Sequence, residues 1–137
     1  DVRILLEVDL FQRAIPNMTS QQVAECEVLL EAMDASYQAG NVAEWGPLNG
    51  LYHAKLYEAA GRHLTEALLV RVTLQANRYV SMHIDKQNKR ESASHDHHEL
   101  LDLARQGDVL GATEQLRRHL VNTKKQVIEF VKQTRAQ

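Results

Sequence analysis

Cysteine is almost missing from this 137-residue sequence: Cys26 stands alone. That excludes an internal disulfide and a thiolate metal cluster within one chain, so any metal site must use nitrogen and oxygen ligands. Only two prolines and six glycines occur, and nearly every stretch between them carries helical spacing rather than strand alternation. Basic residues are not in excess, with 16 Lys and Arg against 18 Asp and Glu. The basic stripe of a nucleic-acid surface is therefore lacking, and this chain alone is expected to bind DNA poorly. Apolar runs such as Ala67 to Val70 fall far short of the roughly 20 residues of a membrane span, and no signal-peptide pattern opens the chain. It reads as a cytoplasmic protein. Catalytic signatures are missing as well: there is no GxSxG elbow, no glycine-rich phosphate loop and no HExxH, and Cys26 lies in an apolar helical stripe like a structural thiol.

What is present suits one soluble domain spanning residues 1–137, with 44% apolar and 25% charged residues. The expected fold is all-α, an antiparallel bundle of six to seven helices. Val2, Leu5, Leu6, Val8 and Leu10 stand in helical register from the start, without an N-cap before them, which reads as a fragment of something longer. Pro16 and Asn17 end that helix. Thr19 or Ser20 can cap a second, with an apolar face of Val23, Cys26, Leu30, Met33 and Tyr37 that closes at Gly40 and Asn41. A third is expected from about Val42 to Ala60, stopped by Gly61, and a fourth from about Arg62, carrying Leu64, Leu68, Val72 and Tyr79. The polar stretch His83 to Arg90 reads as a loop. A fifth covers roughly Glu91 to Gln106, and Asp108 can cap the last, which reaches about Lys132.

Seven histidines are many for such a chain, and three of them, His53, His97 and His119, fall where core residues belong. Asn49 and His53, four apart, project from one helical face and can reach a common ion. His97 shares its register with Ala93, Leu100, Leu101 and Ala104, and His119 follows Ala112 and Leu116. A bundle core is where facing helices assemble metal sites, and three imidazoles with an amide oxygen suit a borderline divalent ion. Taken singly, each histidine is more often a hydrogen-bonded core residue than a ligand, and Asn49 more often a capping residue; their joint occurrence weakens that reading. The crowded run His95, Asp96, His97, His98 leaves the inward histidine open on spacing alone. His63, His83, His95 and His98 read as solvated. Arg3, Arg71 and Arg78 lie on or beside apolar faces, where a guanidinium can hold a ligand carboxylate or simply snorkel. Arg3 and Arg78 are kept as effector-binding candidates, whereas Tyr52 and Tyr79 read as core fillers.

These residues carry a resemblance. Val2, Arg3, Leu6 and Glu7 resemble the "VRxxLE" first helix of the effector (FCD) domain of FadR-type regulators in the GntR superfamily. Leu29, Leu30 and Met33 resemble its "LxxLLxxM" stretch. Asn49, Leu51, Tyr52 and His53 are similar to its "DxxFH" motif, and Ala59, Ala60, Gly61 to its "A(S/A)GN" turn. The most specific segment runs from His97 through Gly107, Asp108, Ala112 and Arg118 to His119 and Leu120, following "HxxLLxAxxxGDxxxAxxxxxxHL". The match spans almost the whole chain, and its register selects His97 over His98.

The resemblance implies a metal site of Asn49, His53, His97 and His119, with asparagine where the family more often has aspartate. It also implies a divalent cation (zinc first, nickel or manganese as alternatives), a homodimer, and DNA contact only through a winged helix-turn-helix domain that this chain does not contain. The function expected is a ligand sensor, not an enzyme, in which a small carboxylate metabolite completes the metal's coordination and meets Arg3 or Arg78. Two rivals stand beside it: a small metal-dependent hydrolase or oxygenase, for which Asp96 and Glu99 are poorly placed as bases, and a metal-free helical interaction module.

Overall fold

The computed structural model describes residues 2–73 and 90–136. All regular structure among them is helical. The end of the expected fourth helix, with Arg78 and Tyr79, and residues 83–89 of the expected loop lie outside the described residues.

Helix α1, Val2–Ala14, turns Val8, Leu10, Phe11 and Ala14 into the core together with one acid, Glu7. Pro16 sits in a 3₁₀ turn, Ile15–Asn17, where its missing N–H costs no helical bond. Helix α2, Ser20–Gln38, begins with a full capping box: Gln22 N–H donates to Thr19 Oγ1 at 3.1 Å, and Thr19 N–H donates to Gln22 Oε1 at 2.9 Å. Helix α3, Val42–Tyr57, passes into a 3₁₀ turn at Glu58–Ala60. Gly61 then takes the left-handed conformation, φ 65°, which stops the chain from continuing as helix. The described part of α4 covers residues 63–73. Helix α5, Arg90–Arg105, and the 28-residue α6, Val109–Ala136, meet at a tight corner. There Gly107 is left-handed, and the Asp108 carboxylate accepts from Gly111 N–H at 3.0 Å.

Helices α2 and α3 pack against each other, α5 packs on both α2 and α6, and α1 lies against α3 and α6. Leu10, Phe11, Tyr52, Leu56, Leu100 and Leu116 are fully buried between them, and each such side chain contributes about 1.5–3 kcal/mol of burial free energy. Side chains also tie α5 to α2: Ser94 Oγ donates to Asp34 Oδ1 at 2.7 Å, and the His98 ring meets Asp34 Oδ2 at 2.9 Å. No described helix is long and apolar enough to cross a membrane.

Two expectations need correction. Arg90 belongs to α5 rather than to the loop before it. The stripe Leu64, Leu68, Val72 is not the inward face of α4: these residues are 78%, 49% and 50% exposed, and among the described residues of that helix Leu69 is the one that packs inside. A helical stripe in a sequence marks a face that avoids water without saying which neighbour covers it.

Candidate metal centre

Three helices bring imidazoles to one point in the core. Helix α3 contributes His53, α5 contributes His97 and α6 contributes His119, and all three are buried. One nitrogen from each lies within 4.8 Å of the others. The rings sit at steep angles in two pairs, His53 to His97 with centroids 5.2 Å apart and His97 to His119 at 5.1 Å, and nearly parallel in the third, His53 to His119 at 6.0 Å. Aromatic neighbours wall this cluster. Trp45 stacks on His97 at 6.1 Å. The Tyr52 hydroxyl donates to the His97 backbone carbonyl at 2.6 Å, so this tyrosine fills the core and also braces α5 at the histidine.

One nitrogen of each of two of these rings is engaged. His119 Nδ1 lies 3.0 Å from Asp96 Oδ2, and His53 Nδ1 lies 3.3 Å from the Tyr57 hydroxyl. A carboxylate can only accept, so Nδ1 of His119 is the donor to Asp96. The third ring has a nitrogen with no partner: His97 Nε2 is a buried polar atom without a hydrogen bond. So is Asn49 Oδ1, one helical turn before His53. Buried polar atoms left unsatisfied cost about 1–3 kcal/mol each, so two of them beside a histidine cluster call for a missing partner.

Burial holds the protonation of His53 and His97 well below the ordinary histidine range, and the neighbouring imidazole of His119 acts in the same direction. Both rings are therefore neutral at physiological pH, the form that ligates cations. Two buried neutral imidazoles, the ring of His119 converging on them and an amide oxygen make a donor set that fits a borderline divalent ion.

Each expected site residue can now be placed. His53, His97 and His119 converge, and Asn49 is buried on α3 one helical turn before His53. His97 is indeed the inward member of its run, whereas His98 is exposed and faces Asp34. Arg3 lies on α1, with Nε 2.9 Å from Glu7 Oε2. It lines a cavity of about 330 Å³ together with Glu7, His53, Tyr57, Glu66 and Leu69. Arg78 lies outside the described residues.

Sequence reasoning missed the partners behind the imidazoles. Asp96, set aside as a poorly placed base, holds His119; Gln115 Nε2 steadies its other oxygen at 3.4 Å. Next to His97 in sequence, Asp96 points about 100° away around α5, which is why it meets α6 while His97 faces the cluster. Tyr57 and Glu7 were missed too. The signals available for Glu7 were its place in the first-helix motif and its charge inside the apolar register of α1.

The FCD domain family matches residues 1–122. This chain belongs to that family, the effector-domain family of FadR-type GntR regulators that its motifs resemble. Among solved structures, E. coli McbR/YncC shares the fold with a TM-score of 0.76 at 20% sequence identity. That likeness covers 91% of this chain and 65% of the other, so the chain spans about two thirds of that structure's length. At this identity it is a likeness of fold. No curated relative matches the chain.

Proposed function

We propose that this domain is the metal-dependent sensing unit of a FadR-type transcription regulator, with Asn49, His53, His97 and His119 holding one divalent cation. Zinc is the first choice, since imidazole nitrogen dominates the ligand set; nickel and manganese are the alternatives. The observation that carries the reading is the convergence of three imidazole nitrogens within 4.8 Å, beside two buried polar atoms that lack partners. When bound, such an ion supplies a positive centre that attracts an anion.

The chain's own residues do the rest. Burial keeps His53 and His97 neutral, Asp96 fixes the ring of His119, and Trp45 and Tyr52 exclude water from one side of the cluster. The cavity that His53 shares with Arg3 gives a small carboxylate metabolite a place to bind, with apolar wall from Leu51 and Leu69. Asp96 is the acid nearest the cluster in these contacts, and its oxygens are committed to His119 and Gln115. A sensing role therefore suits the site better than turnover.

In the whole regulator, ligand binding shifts helix packing and so the placement of DNA-binding domains, by differential affinity for two arrangements. DNA contact belongs to a winged helix-turn-helix domain outside this chain, and the protein works in the cytoplasm. The exposed Leu64, Leu68 and Val72 on α4 favour a homodimer, because a solvent-facing apolar stripe is the kind of surface a second chain covers.

Calorimetric titration of a panel of small carboxylates into the zinc-loaded domain tests the sensor. A saturable heat from one acid, lost in His97→Ala and weakened in Arg3→Ala, is expected. A panel that yields neither heat nor thermal stabilisation sinks the reading.

A further inference from the structure

A buried acid inside an apolar helix face is costly unless it has partners and a task. Glu7 is 1% exposed, and both its oxygens are used. Oε2 pairs with Arg3 Nε at 2.9 Å, while Oε1 accepts from the Tyr57 hydroxyl at 2.7 Å. Tyr57, itself fully buried, reaches His53 Nδ1 at 3.3 Å through the same oxygen. The Tyr57 ring is held edge-on by Phe11 with centroids 6.0 Å apart, which sets where its hydroxyl sits. A continuous line of contacts thus runs Arg3, Glu7, Tyr57, His53, from the cavity to the histidine cluster.

The direction of the bonds follows from proton counting. A phenol has one proton. Glu7, paired with the Arg3 guanidinium, takes that proton as acceptor, so the Tyr57 oxygen can only accept from His53. His53 Nδ1 must then be the protonated nitrogen, and the lone pair is left on Nε2, the nitrogen not engaged by Tyr57. We infer that Glu7 and Tyr57 are positioning residues that fix His53 as its Nδ1–H tautomer and aim Nε2 toward His97 and His119. Helix α3 alone cannot do this, because an unanchored imidazole rotates about its second side-chain torsion and exchanges tautomers. The consequence for metal affinity rests on the metal-sensing reading; the tautomer does not.

Long-range proton–nitrogen correlation spectra of the metal-free domain read the tautomer of each histidine. His53 is expected as Nδ1–H in the natural sequence. In Tyr57→Phe, which keeps the ring that Phe11 packs against, the His53 signals should move toward a mixture of both tautomers while those of the exposed His95 and His98 stay in place. A parallel titration with zinc against a competing chelator should show affinity falling about 10- to 100-fold, the range found when an outer partner of a ligating histidine is lost.

An Nε2–H tautomer for His53 in the natural sequence overturns the inference, even if Tyr57→Phe does not fold. So does an unchanged His53 spectrum in the folded variant. Unchanged zinc affinity in Tyr57→Phe, with the natural domain binding zinc, overturns the positioning role and leaves the metal reading intact. A natural domain that takes no zinc but shows the tautomer and its loss supports the positioning of His53 and overturns the metal reading instead.

Discussion

Acid should destabilise the metal-free domain, and the amount can be worked out from two side chains. His53 and His97 are buried, and burial depresses their protonation well below the ordinary value of 6.5. In the unfolded chain both titrate near that ordinary value. As pH falls through 6.5, the unfolded state takes up two protons that the folded state refuses. The unfolded state then binds more protons, so stability rises with pH in this range and is lost as pH falls. A full unit of pH below 6.5 amounts to about 1.4 kcal/mol for each group with a depressed value. Between pH 7.0 and 5.5 the expected loss is about 1 kcal/mol per imidazole and about 2–3 kcal/mol for the pair. Urea unfolding at the two pH values, with chelator present, measures it. The double variant His53→Gln, His97→Gln supplies the subtraction, because every other titrating group remains. Its loss should be smaller by about 2–3 kcal/mol. Equal losses in the two proteins would show that these histidines titrate alike folded and unfolded, and the neutral-ligand argument would fail with them.

Three other outcomes follow from named contacts. Asp96→Ala removes the acceptor behind His119, so zinc affinity should drop about 10- to 100-fold in a competition titration; an unchanged constant would mean that Asp96 does not orient the ring. Burial pushes the Cys26 thiol up to about 12, which leaves only about one part in ten thousand as thiolate at pH 8. Iodoacetamide should therefore spare the folded domain and label it in guanidinium, and rapid labelling of the native protein would contradict the packing of α2. Leu68→Glu places a charge in the exposed stripe of α4; if the domain forms the proposed homodimer through that stripe, the natural domain should sediment as a dimer and the variant as a monomer in analytical ultracentrifugation, and a variant that stays dimeric puts the contact on another face.

Much of the architecture was legible because its signals are local. Thr19 with Gln22, and Gly61 and Gly107 with their left-handed turns, act over three or four residues, and the helices start and stop where they stand. The histidines were legible for a related reason: a polar residue that recurs in a helix's apolar register has to face the core, as His53, His97 and His119 do. Spacing alone did not separate His97 from His98, since each stands three or four residues before Leu101 in the apolar register of α5, and the family register decided it. Pairings between distant helices left no trace in spacing. Glu7 and Tyr57 are 50 residues apart, and Asp96 and His119 are 23 apart, so their partnership emerges only when α1 packs on α3 and α5 on α6. The α4 stripe misled for the opposite reason. Leu64, Leu68 and Val72 carry the periodicity of a buried face, yet among the described residues of that helix Leu69 is the one that reaches the core.

Metal content tests the central claim most directly. The untagged domain, purified without added metal or chelator and then reloaded, goes to elemental mass spectrometry beside the variant His53→Ala, His97→Ala, His119→Ala. Close to one equivalent of zinc, nickel or manganese per chain, absent from the variant, is the result expected. No bound metal after reloading, or equal metal in both proteins, would contradict the assignment of these histidines as ligands.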